Sequence, residues 1–197
     1  MLDGVLLSGG SWVKRQVRGF FFFSPFAFFS HASQSPLSRW AEYGYAIPHE
    51  SLRRGLYAGN RTVFQLDPEK EWQTDAWFAW YRAEDEIIHG HHWAEENVVF
   101  PRMLEKMQGA TIPDRMTADH TVLLKELDTI ASYEPKIKAA SSKGERAKLI
   151  KELQQRYNGM LLEMLPHLDA EVCLCIFITH WYSRICRQTN RRKCLSL

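Results

Sequence analysis

The sequence predicts an all-α fold, a four-helix bundle. Three observations lead there. Four stretches repeat apolar residues at steps of four and three, the spacing of a buried helical seam. No stretch alternates as a half-buried strand does, and no Gly-rich phosphate loop occurs. The segments between the seams are short and carry the Pro, Gly and Ser residues that end helices. With 197 residues, 45% of them hydrophobic and 13% aromatic, the chain has apolar material for one well-filled core.

Residues 1–38 read differently from the rest. A basic segment, Val13-Lys14-Arg15-Gln16-Val17-Arg18, runs into a Phe-rich stretch from Gly19 to Phe29, followed by Ser30-His31-Ala32. This is the layout of a secretory or organellar targeting segment, and it fits a disordered leader equally well. The apolar run is too short to span a bilayer as a helix. The compartment is therefore left between cytoplasmic and organellar, and the leader is set apart from the fold.

The bundle is expected over residues 39–180. Its first helix should carry Tyr45, His49, Leu52, Leu56, Gly59, Val63 and Leu66 on one face, with Pro48 in the first turn and a bend at Gly59-Asn60. Asp67-Pro68 makes the turn. The second helix should run from about Glu69 to Met107 with a kink at Phe100-Pro101, and its seam reads Trp77, Tyr81, Glu84, Ile88, His91, Glu95 and Val98. His89, His92 and Glu96 fall off that seam and are expected at the surface or behind it. The third helix carries Met116, His120, Leu123, Leu127 and Ile130 and should stop at Tyr133-Glu134-Pro135, before a solvated linker over 136–144. The fourth has the clearest seam: Leu153, Tyr157, Met160, Met164, His167, Glu171, Leu174 and Ile178. A basic tail, 181–197, closes the chain.

The formal net charge of +2 hides an uneven distribution. The leader and the residues after Glu171 are basic, which leaves the middle about five charges negative. An acidic body argues against nucleic acid as a partner and suits a cation. All four cysteines, Cys173, Cys175, Cys186 and Cys194, lie in the last 25 residues, so they cannot staple the body of the fold.

The informative departure is that the seams bury polar groups. A buried carboxylate needs a partner, and a metal cation satisfies both it and a neutral imidazole. His49, His91, His120 and His167 come from four successive helices, and Glu95 and Glu171 each follow a histidine by one turn. Four imidazoles and two carboxylates can hold two cations, each taking two nitrogens while the carboxylates bridge. This donor set suits Fe, Mn or Zn and does not suggest copper(I) or an iron–sulfur cluster. No seam residue stands out as a separate general acid, base or nucleophile, so the residues leave enzyme status undecided.

The order His49, His91-x-x-x-Glu95, His120, His167-x-x-x-Glu171 resembles the hemerythrin-like, or HHE, cation-binding domain. The phrases Pro48-His49-Glu50-Ser51-Leu52, His91-His92-Trp93-Ala94-Glu95-Glu96-Asn97-Val98-Val99-Phe100-Pro101 and His167-Leu168-Asp169-Ala170-Glu171 carry the likeness, which covers roughly residues 43–175. The resemblance implies an antiparallel up-down-up-down bundle around a non-haem centre of two Fe ions, with His49 and His91 on one, His120 and His167 on the other, and Glu95 and Glu171 bridging. It also implies a small diatomic or peroxide ligand: O₂, nitric oxide or peroxide. Oxygen-carrying members have a second histidine one turn after the third-helix ligand, where this chain has Leu124, and a last Asp where it has Val172. The chain is thus nearer the six-ligand branch associated with iron or oxygen sensing, redox responses and regulation. The rival expectation is a regulatory interaction domain whose metal only holds the fold together.

Overall fold

The computed structural model describes residues 36–106 and 111–189, with side chains for 43–105 and 111–177. The described chain is helical throughout, with no strand. Helix α1 covers Pro36–Val63 and α2 covers Glu71–Ala94. A π-helical segment, Glu95–Val99, joins α2 to α3, Phe100–Lys106. Then come α4, Asp114–Ala131, the short α5, Tyr133–Ala139, and the long α6, Lys143–Thr189. Helix α1 packs on α6 and α2, and α4 packs on α2 and α6, so four principal helices enclose one core. Most of the leader, and the tail beyond residue 189 with Cys194, lie outside the described residues. No helix among the described residues is long and apolar enough to cross a membrane.

The core follows the seams. Leu52, Leu56 and Val63 of α1 meet Trp77, Phe78 and Tyr81 of α2, Leu127 and Ile130 of α4, and Leu153, Tyr157 and Met160 of α6. The buried rings find backbone partners for their polar atoms. Tyr81 Oη donates to the Leu127 carbonyl at 2.9 Å, Tyr157 Oη to that of Leu56 at 3.3 Å, and Trp77 Nε1 to that of Gly59 at 3.3 Å. Satisfied in this way, large aromatics fill volume without an unpaired dipole in the core.

Gly59 does not bend α1, contrary to the sequence expectation, because the helix runs through it to Val63. A Cβ there would collide with Tyr157 Oη and the Trp80 ring, so this glycine serves close packing. Gly59→Ala should therefore destabilise the fold. Overpacking costs about 1–3 kcal/mol and outweighs the ~1 kcal/mol that alanine gains over glycine in a helix. A lower midpoint in urea unfolding is the expected reading, and an unchanged or higher one would refute the packing role.

Three boundaries also differ from expectation. Pro48 lies inside α1 and not in its first turn, since the helix starts at Pro36. The stretch after Ala131 is not a plain linker. Residues 133–139 form α5 because Pro135 sits within the first turn, where its missing N–H costs nothing, and Tyr133 and Ile137, four apart, bury one face. Ser142 then receives the Glu145 amide on its Oγ at 3.2 Å, while Glu145 accepts from the Ser141 amide at 2.8 Å, a reciprocal cap at the start of α6.

The third difference bears directly on the polar cluster. The expected kink at Phe100-Pro101 takes the form of a π turn before it, in which the Phe100 amide donates to the Glu95 carbonyl five residues back. Pro101 has no N–H and its ring crowds the preceding turn, so a wider turn accommodates it. The extra residue shifts the phase of the buried face. Phe100 is buried and Val98, expected on the seam, is exposed.

Candidate metal centre

The polar residues of the seams meet between the helices. His49, Glu95, His120, His167 and Glu171 are all buried, and the His91 side chain is 15% exposed. His92, expected off the seam, is buried as well. These seven residues form two groups that share Glu171: His49, His91, Glu95 and Glu171 in one, and His92, His120, His167 and Glu171 in the other. In each group the ligand atoms lie within 4.8 Å of one another. Two donors bonded to one ion at about 2.1 Å stand at most about 4.2 Å apart, so small movements close either group on a cation.

Glu171 is the common element. Its Oε2 is 3.1 Å from His49 Nε2, and its Oε1 is 2.7 Å from His120 Nε2 and 3.2 Å from His167 Nε2. Glu95 is held more loosely. Its Oε1 lies 3.4 Å from His91 Nε2 and 3.6 Å from His49 Nε2, and its Oε2 lies 3.8 Å from His120 Nε2.

Three rings are oriented from behind. His49 Nδ1 donates to the Tyr45 carbonyl at 2.6 Å, His92 Nδ1 to the Ile88 carbonyl at 2.9 Å, and His120 Nδ1 to Glu96 Oε1 at 2.7 Å. Each bond places a ring proton outward and turns Nε2 toward the centre, as the atom that would donate its lone pair to a metal. Thr117 Oγ1 donates to the other Glu96 oxygen at 3.2 Å and so steadies the carboxylate that steadies His120.

The decisive feature is what has no partner. Among the described residues, His91 Nε2, His92 Nε2, both carboxylate oxygens of Glu95 and both ring nitrogens of His167 are buried without a hydrogen bond. Each such atom costs about 1–3 kcal/mol if nothing satisfies it. They fall in both groups, His91 and Glu95 in one and His92 and His167 in the other, and a cation in each group would satisfy the atoms that face it. The family model for the hemerythrin HHE cation-binding domain matches residues 49–171.

This chain belongs to that family. Searches of curated proteins and of solved structures return no match. Every residue that the hemerythrin resemblance singled out falls in one of the two groups, and His92 is the addition. Its signal was present in the sequence. Asp85, His89, His92 and Glu96 follow one another at steps of four, three and four, a second stripe alongside the apolar one.

The electrostatics prepare this hemerythrin-family centre for a cation. Burial, with the charge of His49 next, lowers His91 to about 4, and burial, with His120 next, lowers His92 to about 3. Both imidazoles are therefore neutral near pH 7 and free to bind metal without first losing a proton. Burial, followed by the charge of Glu171, raises Glu95 to about 9. Burial opposes the charge on Glu171 too, but the imidazoles of His120, His167 and His49 gathered around it hold its carboxyl well below the usual range. His120 is raised: burial disfavours its cation, and the hydrogen bonds and charges of Glu171 and Glu96 overcome that. A proton on Glu95 and the raised His120 offset part of the negative charge that the two carboxylates would otherwise bury together. Cys175, one turn after Glu171, is pushed up to about 12 mainly by burial and stays a neutral thiol, outside both groups.

Proposed function

We propose that this hemerythrin-family chain is a non-haem di-iron protein that binds or responds to O₂, nitric oxide or peroxide, or handles iron, with its four principal helices in antiparallel up-down-up-down order. The unsatisfied buried atoms of His91, His92, Glu95 and His167 carry the reading, because they face two groups of imidazoles and carboxylates that meet at Glu171. The donor set is nitrogen and carboxylate oxygen, which suits iron and also admits manganese or zinc. A bound iron pair would supply reversible or redox chemistry with small oxygen and nitrogen ligands. The protein fixes the imidazoles through Tyr45, Ile88 and Glu96, neutralises ion charge with Glu171 and Glu95, and keeps bulk water away by burying them.

The test is metal analysis of protein purified without added metal, followed by optical spectra under O₂, nitric oxide and peroxide. Two Fe per chain and near-ultraviolet or visible bands that change with one of these ligands are expected. A colourless, zinc-loaded protein whose spectrum ignores all three would overturn the small-molecule reading and leave a domain in which the metal is structural.

A further inference from the structure

A groove of about 810 Å³ opens between α2 and α4 and reaches the centre. The stripe of Asp85, His89 and His92 of α2 and Glu96 of the π-helical segment lines one wall, and His120 and Asp128 of α4 belong to the other. At the rim, His89 Nε2 is 3.5 Å from Asp85 Oδ1 and 3.8 Å from Asp128 Oδ1. At the floor lies His92, 1% exposed, whose Nε2 has no hydrogen-bond partner and belongs to one of the two metal groups.

We propose that this groove is the path by which a divalent cation loads the centre, with Asp85, His89 and Asp128 as a transient capture site at its mouth. The proposal rests on the reading that the two groups hold metal. Among the described residues, four lining side chains are carboxylates, three are imidazoles and none is Lys or Arg. A neutral diatomic ligand gains nothing from such a lining, whereas a hydrated cation is concentrated by it and can exchange waters for carboxylate and imidazole ligands. Exposure falls along the path, from 73% for the Asp128 side chain and 36% for that of His89 at the rim to His92 at the floor. The rim therefore holds an ion weakly, and the better-shielded, more numerous ligands inside retain it. Gly90 lines the groove, and a Cβ there would meet nothing within 4 Å, so a larger side chain at this position has open space in the mouth to fill. A glycine inside a helix costs ~1 kcal/mol relative to alanine, so this one is not explained by helix stability.

The full chain, stripped by a chelator, is mixed with Co²⁺ at low salt, and uptake is followed by visible absorption in a stopped-flow instrument. One variant combines Asp85→Asn with Asp128→Asn. The other, Gly90→Phe, obstructs the mouth without changing charge and replaces a poor helix former. Wild type should end with two Co²⁺ per chain, one for each group. Both variants should reach the same end point about tenfold or more slowly, and the double variant should lose the salt dependence seen in wild type. Unchanged rates in both variants overturn the proposal. So does a double variant that ends with fewer ions at a normal rate, since its residues would then belong to the centre itself. If wild type takes up no Co²⁺, the metal-centre reading itself fails and the loading path falls with it.

Discussion

Glu171→Ala should strip the protein of both metal ions. Glu171 alone belongs to both groups, and its two oxygens lie within 3.2 Å of three imidazoles on three different helices. Without it each group falls from four ligands to three, the second keeps no carboxylate at all, and the rings of His49, His120 and His167 lose the anion that gathers them. Changing a partner behind a metal ligand already weakens binding by about 10–100-fold, and removing a shared ligand should exceed that. Metal analysis should find close to none in Glu171→Ala and about one ion per chain in Glu95→Ala, because Glu95 enters only one group. His89→Ala, which touches neither group, should keep both. Far-UV circular dichroism would show whether the helices persist. A folded Glu171→Ala protein that retains two ions would end the shared-ligand account.

The sequence displayed both residues that α6 brings to this centre, His167 and Glu171. Leu153, Tyr157, Met160, Met164, His167 and Glu171 are predicted on one face and are buried there, because an α-helix keeps a constant phase, while Leu174 of the same predicted face is half-buried and the Ile178 side chain lies outside the described residues. Helix α2 was only partly legible, for two physical reasons. Counting at 3.6 residues per turn assumes regular geometry, and the π segment adds a residue between Glu95 and Phe100, which moves the buried position from Val98 to Phe100. A single-seam reading also lets a helix face only one neighbour. Adjacent residues point about 100° apart, and α2 lies against both α1 and α4, so His91 and His92 can both face inward toward different partners. The His91 ring sits 4.7 Å from that of His49, and the His92 ring 4.5 Å from that of His120. The two neighbours in sequence thus serve opposite groups.

Removing the metal should lower the melting temperature by an amount that grows with pH. Binding at about 1,000 times Kd contributes about 4 kcal/mol, and a domain of this size moves by about 2–4 °C per kcal/mol, so a loss on the order of 10 °C is expected near neutral pH. The pH dependence follows from Glu95, whose carboxyl in the metal-free fold is raised to about 9 from an unfolded value near 4.5, chiefly by burial. A raised folded value means that the native state holds a proton the unfolded chain has released. The metal-free fold is therefore favoured below about 4.5 as far as Glu95 is concerned, and loses that advantage as pH climbs toward about 9. His91 and His92 act at the other end. Their values fall to about 4 and 3, so between about 6.5 and those values the unfolded chain binds protons the native state refuses, and stability declines as pH drops. A bound cation takes the place of the Glu95 proton and removes the alkaline decline. Thermal melts of chelated and metal-loaded protein at pH 6, 7 and 8 should diverge as pH rises, and metal uptake at pH 7 in weak buffer should release protons. Parallel melting curves across that range, or uptake without proton release, would mean that Glu95 is already ionised in the metal-free core and does not give up a proton to the ion.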